Sequence, residues 1–280
     1  MLWEYIKAVI YGIVEGITEW LPVSSTGHLI LLESFMTPKN ESEFWVQYRT
    51  MFDVVIQLAA VFAVVVIYRK ELFSTKYDKC QTFSLWKKLI LATLPAAFIG
   101  IAADQLCEAF LGVSLDTILF TPQTVASALI IYGILFIIVE RLTKNSSPAR
   151  ELSYRSALAI GFVQALALIP GTSRSGATIL GARILGIERH TATKFSFFAA
   201  IPVIFSASLL KILDFGRYMA KSGETLNYSA LMILLVAGAS AFCISMTVIK
   251  FLTDFVKRHT FIPFGIYRIL LGIAVFLFIK

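Results

Sequence analysis

Apolar runs of membrane-spanning length recur from one end of the 280-residue chain to the other. Six stand out, at roughly 51–68, 86–103, 124–140, 195–213, 230–250 and 261–279. A helix needs about 20 such residues to cross a bilayer. Backbone polar groups at that depth must be paired within the protein, so only helices and closed barrels span. A barrel would show short segments of alternating polarity, and these runs do not alternate. The expected fold is therefore an all-α polytopic membrane protein, one domain throughout, with about six transmembrane helices. Only 15% of the residues are charged, against about 25% in a soluble domain.

Two regions break this pattern. Residues 5–36 form an apolar piece interrupted at Pro22, and residues 157–187 are interrupted at "PGTSRSG". Interrupted apolar segments are tolerated at membrane depth only inside protein or beside a wet cavity. Loop charges suggest how they run, because Lys and Arg collect on the cytoplasmic side. The loop after residue 68 carries Arg69, Lys70, Lys76, Lys79, Lys87 and Lys88, and is expected inside. The next, with Asp104, Glu108 and Asp116, is expected outside. Arg141, Lys144, Arg150 and Arg155 are inside again, as are Arg183, Arg189 and Lys194 beyond the second interruption. Residues 157–187 then enter and leave on one side, as a re-entrant hairpin. Counting backward places residues 37–50 outside; if 5–36 is a second re-entrant hairpin, the N-terminus lies outside as well, which its weak charge (Glu4, Lys7) allows.

"VEGITEWLPVSSTG" and "VQALALIPGTSRSG" also resemble each other. They share a Val, then Glu15 or Gln164, a Pro, paired hydroxyls (Ser24 and Ser25; Thr172 and Ser173) and a Gly. Opposite entry sides make this an inverted repeat, 1–142 and 157–280, and such repeats place their site where broken segments meet. The +7 charge fits basic cytoplasmic loops rather than nucleic acid. Cys80, Cys107 and Cys243 have no metal or disulfide spacing. The start, "MLWEYIKAV", lacks a basic n-region and a following cleavage site, and reads as mature sequence.

Glu15 and Glu19 are spaced to share one helix face. In apolar surroundings such carboxylates are functional candidates. They repel unless they share a proton or a cation, and oxygen ligands suit Mg²⁺ or Ca²⁺. Proton-coupled transporters use the same pairing. Pro22 ends the preceding helix, and "PVSSTGHLI" opens the next. Ser24, Ser25, Thr26 and Gly27 lie where free backbone N–H groups favour an anion. His28, three residues past Ser25, is placed to face it as an acid or base. In the second hairpin Arg174 stands among Thr172, Ser173, Ser175 and Gly176. Its planar fork matches phosphate, and the alternative role is counter-ion to Glu15 or Glu19. Gln164 is placed to hydrogen-bond within the site. Cation ligands, a nucleophile, an acid/base and a phosphate clamp together perform phosphoryl transfer. Their position in the membrane implies that the phosphate belongs to a lipid.

The segments "EGITEWLPVSSTGH", "FDVVIQL", "PGTSRSGATI", "FSFFAAIP" and "FIPFGIYRILLG" resemble the undecaprenyl-pyrophosphate phosphatase family, also called bacitracin-resistance proteins. The resemblance runs along nearly the whole chain. It implies hydrolysis of a C55 isoprenyl pyrophosphate to the monophosphate, recycling the carrier lipid of peptidoglycan synthesis in the bacterial cytoplasmic membrane. It further implies an acidic motif at Glu15 and Glu19, a serine-histidine motif at Ser25 and His28, and an arginine motif at Arg174. The expected site opens toward the outer side. Whether Ser25, His28 or water attacks stays open, as does a homodimer. Two rivals remain: a lipid flippase or transporter on the same inverted repeat, and a phosphatidic-acid-type lipid phosphatase. The latter needs a His-x-x-x-Asp motif, where this chain reads "RHTATK".

Overall fold

A computed structural model describes residues 2–36, 42–73, 79–143 and 150–278. Within them the chain forms twelve α-helices: α1 (Leu2–Thr18), α2 (Ser25–Met36), α3 (Glu43–Ile67), α4 (Arg69–Leu72), α5 (Lys79–Leu111), α6 (Leu115–Leu119), α7 (Pro122–Leu142), α8 (Tyr154–Gln164), α9 (Arg174–Ile184), α10 (Arg189–Ser222), α11 (Tyr228–Arg258) and α12 (Ile262–Phe278). A 3₁₀ turn, Ala165–Leu168, follows α8. Helix starts are set by local chemistry. Thr121 accepts a bond from the Thr124 N–H at 3.1 Å ahead of Pro122, the first residue of α7. Ser153 and Ser156 form a reciprocal capping box on α8. Asn227 caps α11 through the Ala230 N–H at 2.7 Å.

Five helices (α3, α5, α7, α10 and α11) are long and apolar enough to cross a membrane. The protein is a polytopic α-helical membrane protein. The expected run 261–279 is α12, 17 residues in its described part, and Ile279 lies outside the described residues. All five spanning helices are longer than the expected apolar runs, α5 and α10 most of all. Run 86–103 is part of the 33-residue α5, and run 195–213 part of the 34-residue α10. At 1.5 Å per residue α5 is about 50 Å long, well beyond a hydrocarbon core of about 30 Å. Its polar ends need not be loops. Lys79, Lys87 and Lys88 ride on its first turns and Asp104 and Glu108 on its last part. The other expected loop residues Lys76 and Lys144, and part of 37–50, lie outside the described residues.

α1 ends at Thr18, four residues before Pro22, rather than at the proline. Proline disfavours helical backbone at the residue before it, and the chain unwinds through turns until Ser25. α2, α8 and α9 have 12, 11 and 11 residues, too short to cross a bilayer alone.

The two hairpins pack by one scheme. α1 lies against α11, and α8 lies against α5. Close approach of backbones sets both contacts. A Cβ on Gly12 would strike the Ala237 carbonyl, and one on Gly161 would come within 2.6 Å of the Ala92 carbonyl. Small residues at such crossings are how membrane helices approach closely. Between these pairs α3 packs on α10 and α11, and α12 runs along α7. At one end α9 is fastened by a buried ion cluster, with Glu140 of α7 meeting Arg189 at 2.8 Å and Arg183 at 3.4 Å. The interrupted segments therefore meet in the middle of the molecule, enclosed by long helices.

Candidate active site

Each interruption turns through one strained serine. Ser24 has φ 76° and Ser173 has φ 72°, the only non-glycine residues with positive φ among those described. Such backbone costs about 1–3 kcal/mol per residue and persists where surrounding structure imposes it. Each serine then caps the next helix. Ser24 Oγ accepts from the Gly27 N–H at 3.2 Å, and Ser173 Oγ accepts from the Gly176 N–H at 3.1 Å. The turns are thus in a register that aligns Ser24 with Ser173, Ser25 with Arg174, and Gly27 with Gly176. The sequence pairing of Ser24 and Ser25 with Thr172 and Ser173 is off by one. Pro170 sits one residue earlier relative to its cap than Pro22 does, and Gly171 (φ 92°) takes up the difference. A Cβ on Gly171 would approach the Val125 carbonyl to 2.5 Å, so no larger residue fits.

One carboxylate joins the two turns. Ser25 donates its hydroxyl proton to Glu19 Oε2 at 2.8 Å. Arg174 Nη2 donates to Glu19 Oε1 at 3.0 Å. The same guanidinium donates through Nη1 to the Ser196 carbonyl at 2.6 Å, and Thr178 supports Ser196 by donating to its hydroxyl at 2.7 Å. Ser175 points away from this cluster and donates to the Glu19 carbonyl at 3.1 Å, tying one hairpin to the other. Glu19 and Ser25 are buried, at 6% and 8% exposure. The hydroxyl is therefore hydrogen-bonded to a base, and the arginine is held beside it. A serine activated by an adjacent carboxylate is a competent nucleophile.

These groups face a cavity of about 190 Å³ whose polar lining includes Glu19, Ser25, Thr26, Gln57, Gln164, Ser173 and Arg174. Its apolar walls come from the second turn, α5 and α10. Each of those helices carries an internal proline, Pro95 or Pro202, and the next residue, Ala96 or Val203, lines the cavity. A larger cavity of about 610 Å³ lies between α1, α3 and α11, but none of the hydroxyl–guanidinium cluster reaches it.

His28 does not join the cluster. A carbonyl can only accept, so Nδ1 carries the proton it shares with the Ser24 carbonyl at 2.7 Å. Nε2 then accepts from the Tyr267 hydroxyl at 2.6 Å, and the two rings lie nearly parallel, 5° apart. Its expected approach to Ser25 fails because the strained Ser24 turn presents a carbonyl to the ring. Gln164 does reach the cavity. Its Nε2 donates to the Ala92 carbonyl at 3.0 Å, and its Oε1 has no hydrogen-bond partner. Thr172 is wholly buried, and its carbonyl accepts from Arg268 at 2.9 Å.

Glu15 is wholly buried, and neither carboxylate oxygen has a hydrogen-bond partner. It lies close enough to Glu19 and to Asp53 of α3 for their charges to act on it. An orphaned carboxylate in such a place is the donor chemistry a hard cation requires. Glu19 has both oxygens engaged, so Glu15 is the freer of the two expected ligands. Among the described residues no group of three or more Asp, Glu, His or Cys forms a ready cage. Asp53, Gln57 and Arg268 were not singled out in the sequence. Polar groups inside spanning helices were the available signal.

The family described as Bacitracin resistance protein BacA matches residues 8–274. The chain belongs to this family. It is 49% identical over 284 residues to an undecaprenyl-diphosphatase of Acetivibrio thermocellus, covering 98% of this chain and 97% of that protein. The corresponding values for the Streptococcus mutans protein of that name are 50% over 282 residues, 98% and 95%. For the Enterococcus faecalis protein they are 47% over 275 residues, 95% and 94%. Membership of this family supports a hydrolase activity of the phosphatase type.

Proposed function

We propose that the protein is a lipid pyrophosphatase of the bacterial cytoplasmic membrane, converting undecaprenyl (C55 isoprenyl) pyrophosphate and water to undecaprenyl phosphate and inorganic phosphate. This would return the peptidoglycan carrier lipid to use and underlie bacitracin resistance. The observation that carries the reading is the single Glu19 carboxylate holding the Ser25 hydroxyl on one oxygen and the Arg174 guanidinium on the other.

In this reading Glu19 accepts the Ser25 proton as Oγ attacks the terminal phosphorus. The bond between that phosphorus and the bridging oxygen breaks, and the lipid leaves as the monophosphate. Glu19 passes that proton to the departing lipid phosphate, then takes a proton from the water that attacks the phosphoserine and returns it to Ser25 Oγ as the P–O bond breaks and inorganic phosphate leaves. Arg174 and the N–H groups of the two capped turns hold the equatorial oxygens, where charge spreads in phosphoryl transfer. A divalent cation held by Glu15, with Glu19 beside it, would neutralise phosphate charge. His28 fixes the Ser24 carbonyl and so the turn that presents Ser25.

The cavity is smaller than the roughly 300–1,000 Å³ of a pocket for a drug-sized molecule. It suits a pyrophosphate head, with the isoprenyl tail lying between helices. The sequence-derived orientation opens the site to the outer side. Interleaved halves also occur in transporters, but transport alone has no use for a serine bonded to a base beside a guanidinium. The test is phosphate release by purified protein from a long-chain isoprenyl pyrophosphate, with and without a chelator. Release of one phosphate per lipid, lost on chelation, is expected. Lipid movement across vesicles without phosphate release would favour the flippase.

A further inference from the structure

Arg268 of α12 has no exposed surface, and its guanidinium has no carboxylate among its hydrogen-bond partners. A charge in that position is expensive unless its donors are satisfied. Three backbone carbonyls engage both terminal nitrogens, while Nε has no hydrogen-bond partner. Nη1 donates to Pro22 at 3.1 Å, and Nη2 donates to Gly171 at 2.7 Å and Thr172 at 2.9 Å. Pro22 precedes Ser24 by two residues, and Gly171 precedes Ser173 by two. One arginine therefore binds the equivalent carbonyl of each strained turn. Its guanidinium carbon also lies 5.8 and 5.9 Å from the ring centres of Tyr132 and Phe136 of α7, within cation–π reach of both.

We propose that Arg268 is a positioning residue that sets the separation and angle of the two turns, and through them aligns Ser25 with Arg174. The assignment rests on the phosphatase reading above. Ser25 and Arg174 each follow three residues after a carbonyl that Arg268 holds, so a shift in the bridge moves nucleophile and clamp relative to each other. A lysine at this place would keep the charge but not a planar fork with donors on two separate nitrogens.

The test is steady-state hydrolysis of an isoprenyl pyrophosphate in detergent by Arg268→Lys, alone and combined with Arg174→Lys, with a thermal melt on each. A misplacement of about 1 Å costs on the order of 10²-fold, so kcat is expected to fall by about that factor while KM stays within about threefold. On the Arg174→Lys background the further loss should be much smaller, because the alignment no longer has its partner. Independent sites would instead give additive losses. Near-wild-type kcat, or fully additive losses, would overturn the proposal. Phe136→Leu removes one of the two ring contacts and leaves every hydrogen bond of Arg268. It should lower kcat in the same direction at unchanged KM. If Arg268→Lys does not fold, this variant decides, and an unchanged kcat overturns the proposal. Absence of any phosphate release by the wild-type protein would instead refute the phosphatase reading itself.

Discussion

Arg174→Lys separates two roles that the geometry superimposes. The guanidinium is ion-paired with Glu19 at 3.0 Å and bonded to the Ser196 carbonyl at 2.6 Å, while its Nε has no hydrogen-bond partner. A lysine can keep the ion pair. It cannot hold Glu19, Ser196 and two phosphate oxygens in one plane. Loss of the charge-assisted bond to Ser196 costs about 1.5–3 kcal/mol of stability at most, which a folded protein usually tolerates. The catalytic cost should be larger. A preorganised donor aimed at developing charge is worth roughly 3–4 kcal/mol, or about 10²–10³ in rate. It acts more on the transition state than on the ground state, so kcat should fall far more than KM rises. Phosphate release under steady-state conditions in detergent, over a range of lipid concentration, measures both. If Arg174→Lys keeps kcat within a few fold of wild type, Arg174 is only the counter-ion of Glu19 and the clamp is wrong.

Other outcomes follow from the same geometry. Ser25→Ala should insert and fold but lose turnover, and wild-type turnover would leave water or another group as the nucleophile. His28→Asn keeps a donor for the Ser24 carbonyl and should retain far more activity than His28→Ala; equal losses would return the imidazole to acid/base chemistry. Glu15→Gln should flatten the response of the rate to added Mg²⁺ or Ca²⁺, and an unchanged titration counts against a cation at the orphaned carboxylate. Cys80, exposed near the start of α5, should resist a membrane-impermeant thiol reagent on intact cells. Its labelling there would reverse the orientation drawn from the basic residues.

The spanning helices were legible because apolar run length is a direct consequence of bilayer thickness. Their ends were not. Lys79, Lys87, Lys88, Asp104 and Glu108 read as loop charge, yet they continue α5. A helix may leave the hydrocarbon without ending, and hydropathy registers only the departure. Glu15, Glu19 and Arg174 were legible as ionisable groups at an expensive depth. Their pairing was not, since the spacing of Glu15, on α1, and Glu19, just beyond its end, says nothing of which carboxylate meets the other hairpin. Ser25 and His28 illustrate the limit most clearly. Three residues apart on an ideal helix they could face each other, but the left-handed Ser24 presents its carbonyl to the imidazole. No sequence pattern marks a non-glycine residue for that conformation.

The register set by the two strained serines explains how a repeated framework makes an unrepeated site. Both turns present the same backbone: a carbonyl held by Arg268, a serine at positive φ, and a helix start capped by that serine. Either alone would be a generic anion cradle. The difference lies at the residue after the cap, which is Ser25 in one turn and Arg174 in the other. It lies also upstream, where buried Glu15 stands against Gln164. The strain of about 1–3 kcal/mol at each serine is imposed jointly, because Arg268 binds both turns and Glu19 binds both residues that follow the caps. A substitution that relaxes one turn should therefore disturb the other. Nucleophile and clamp are held against each other as one unit, and their losses should not add.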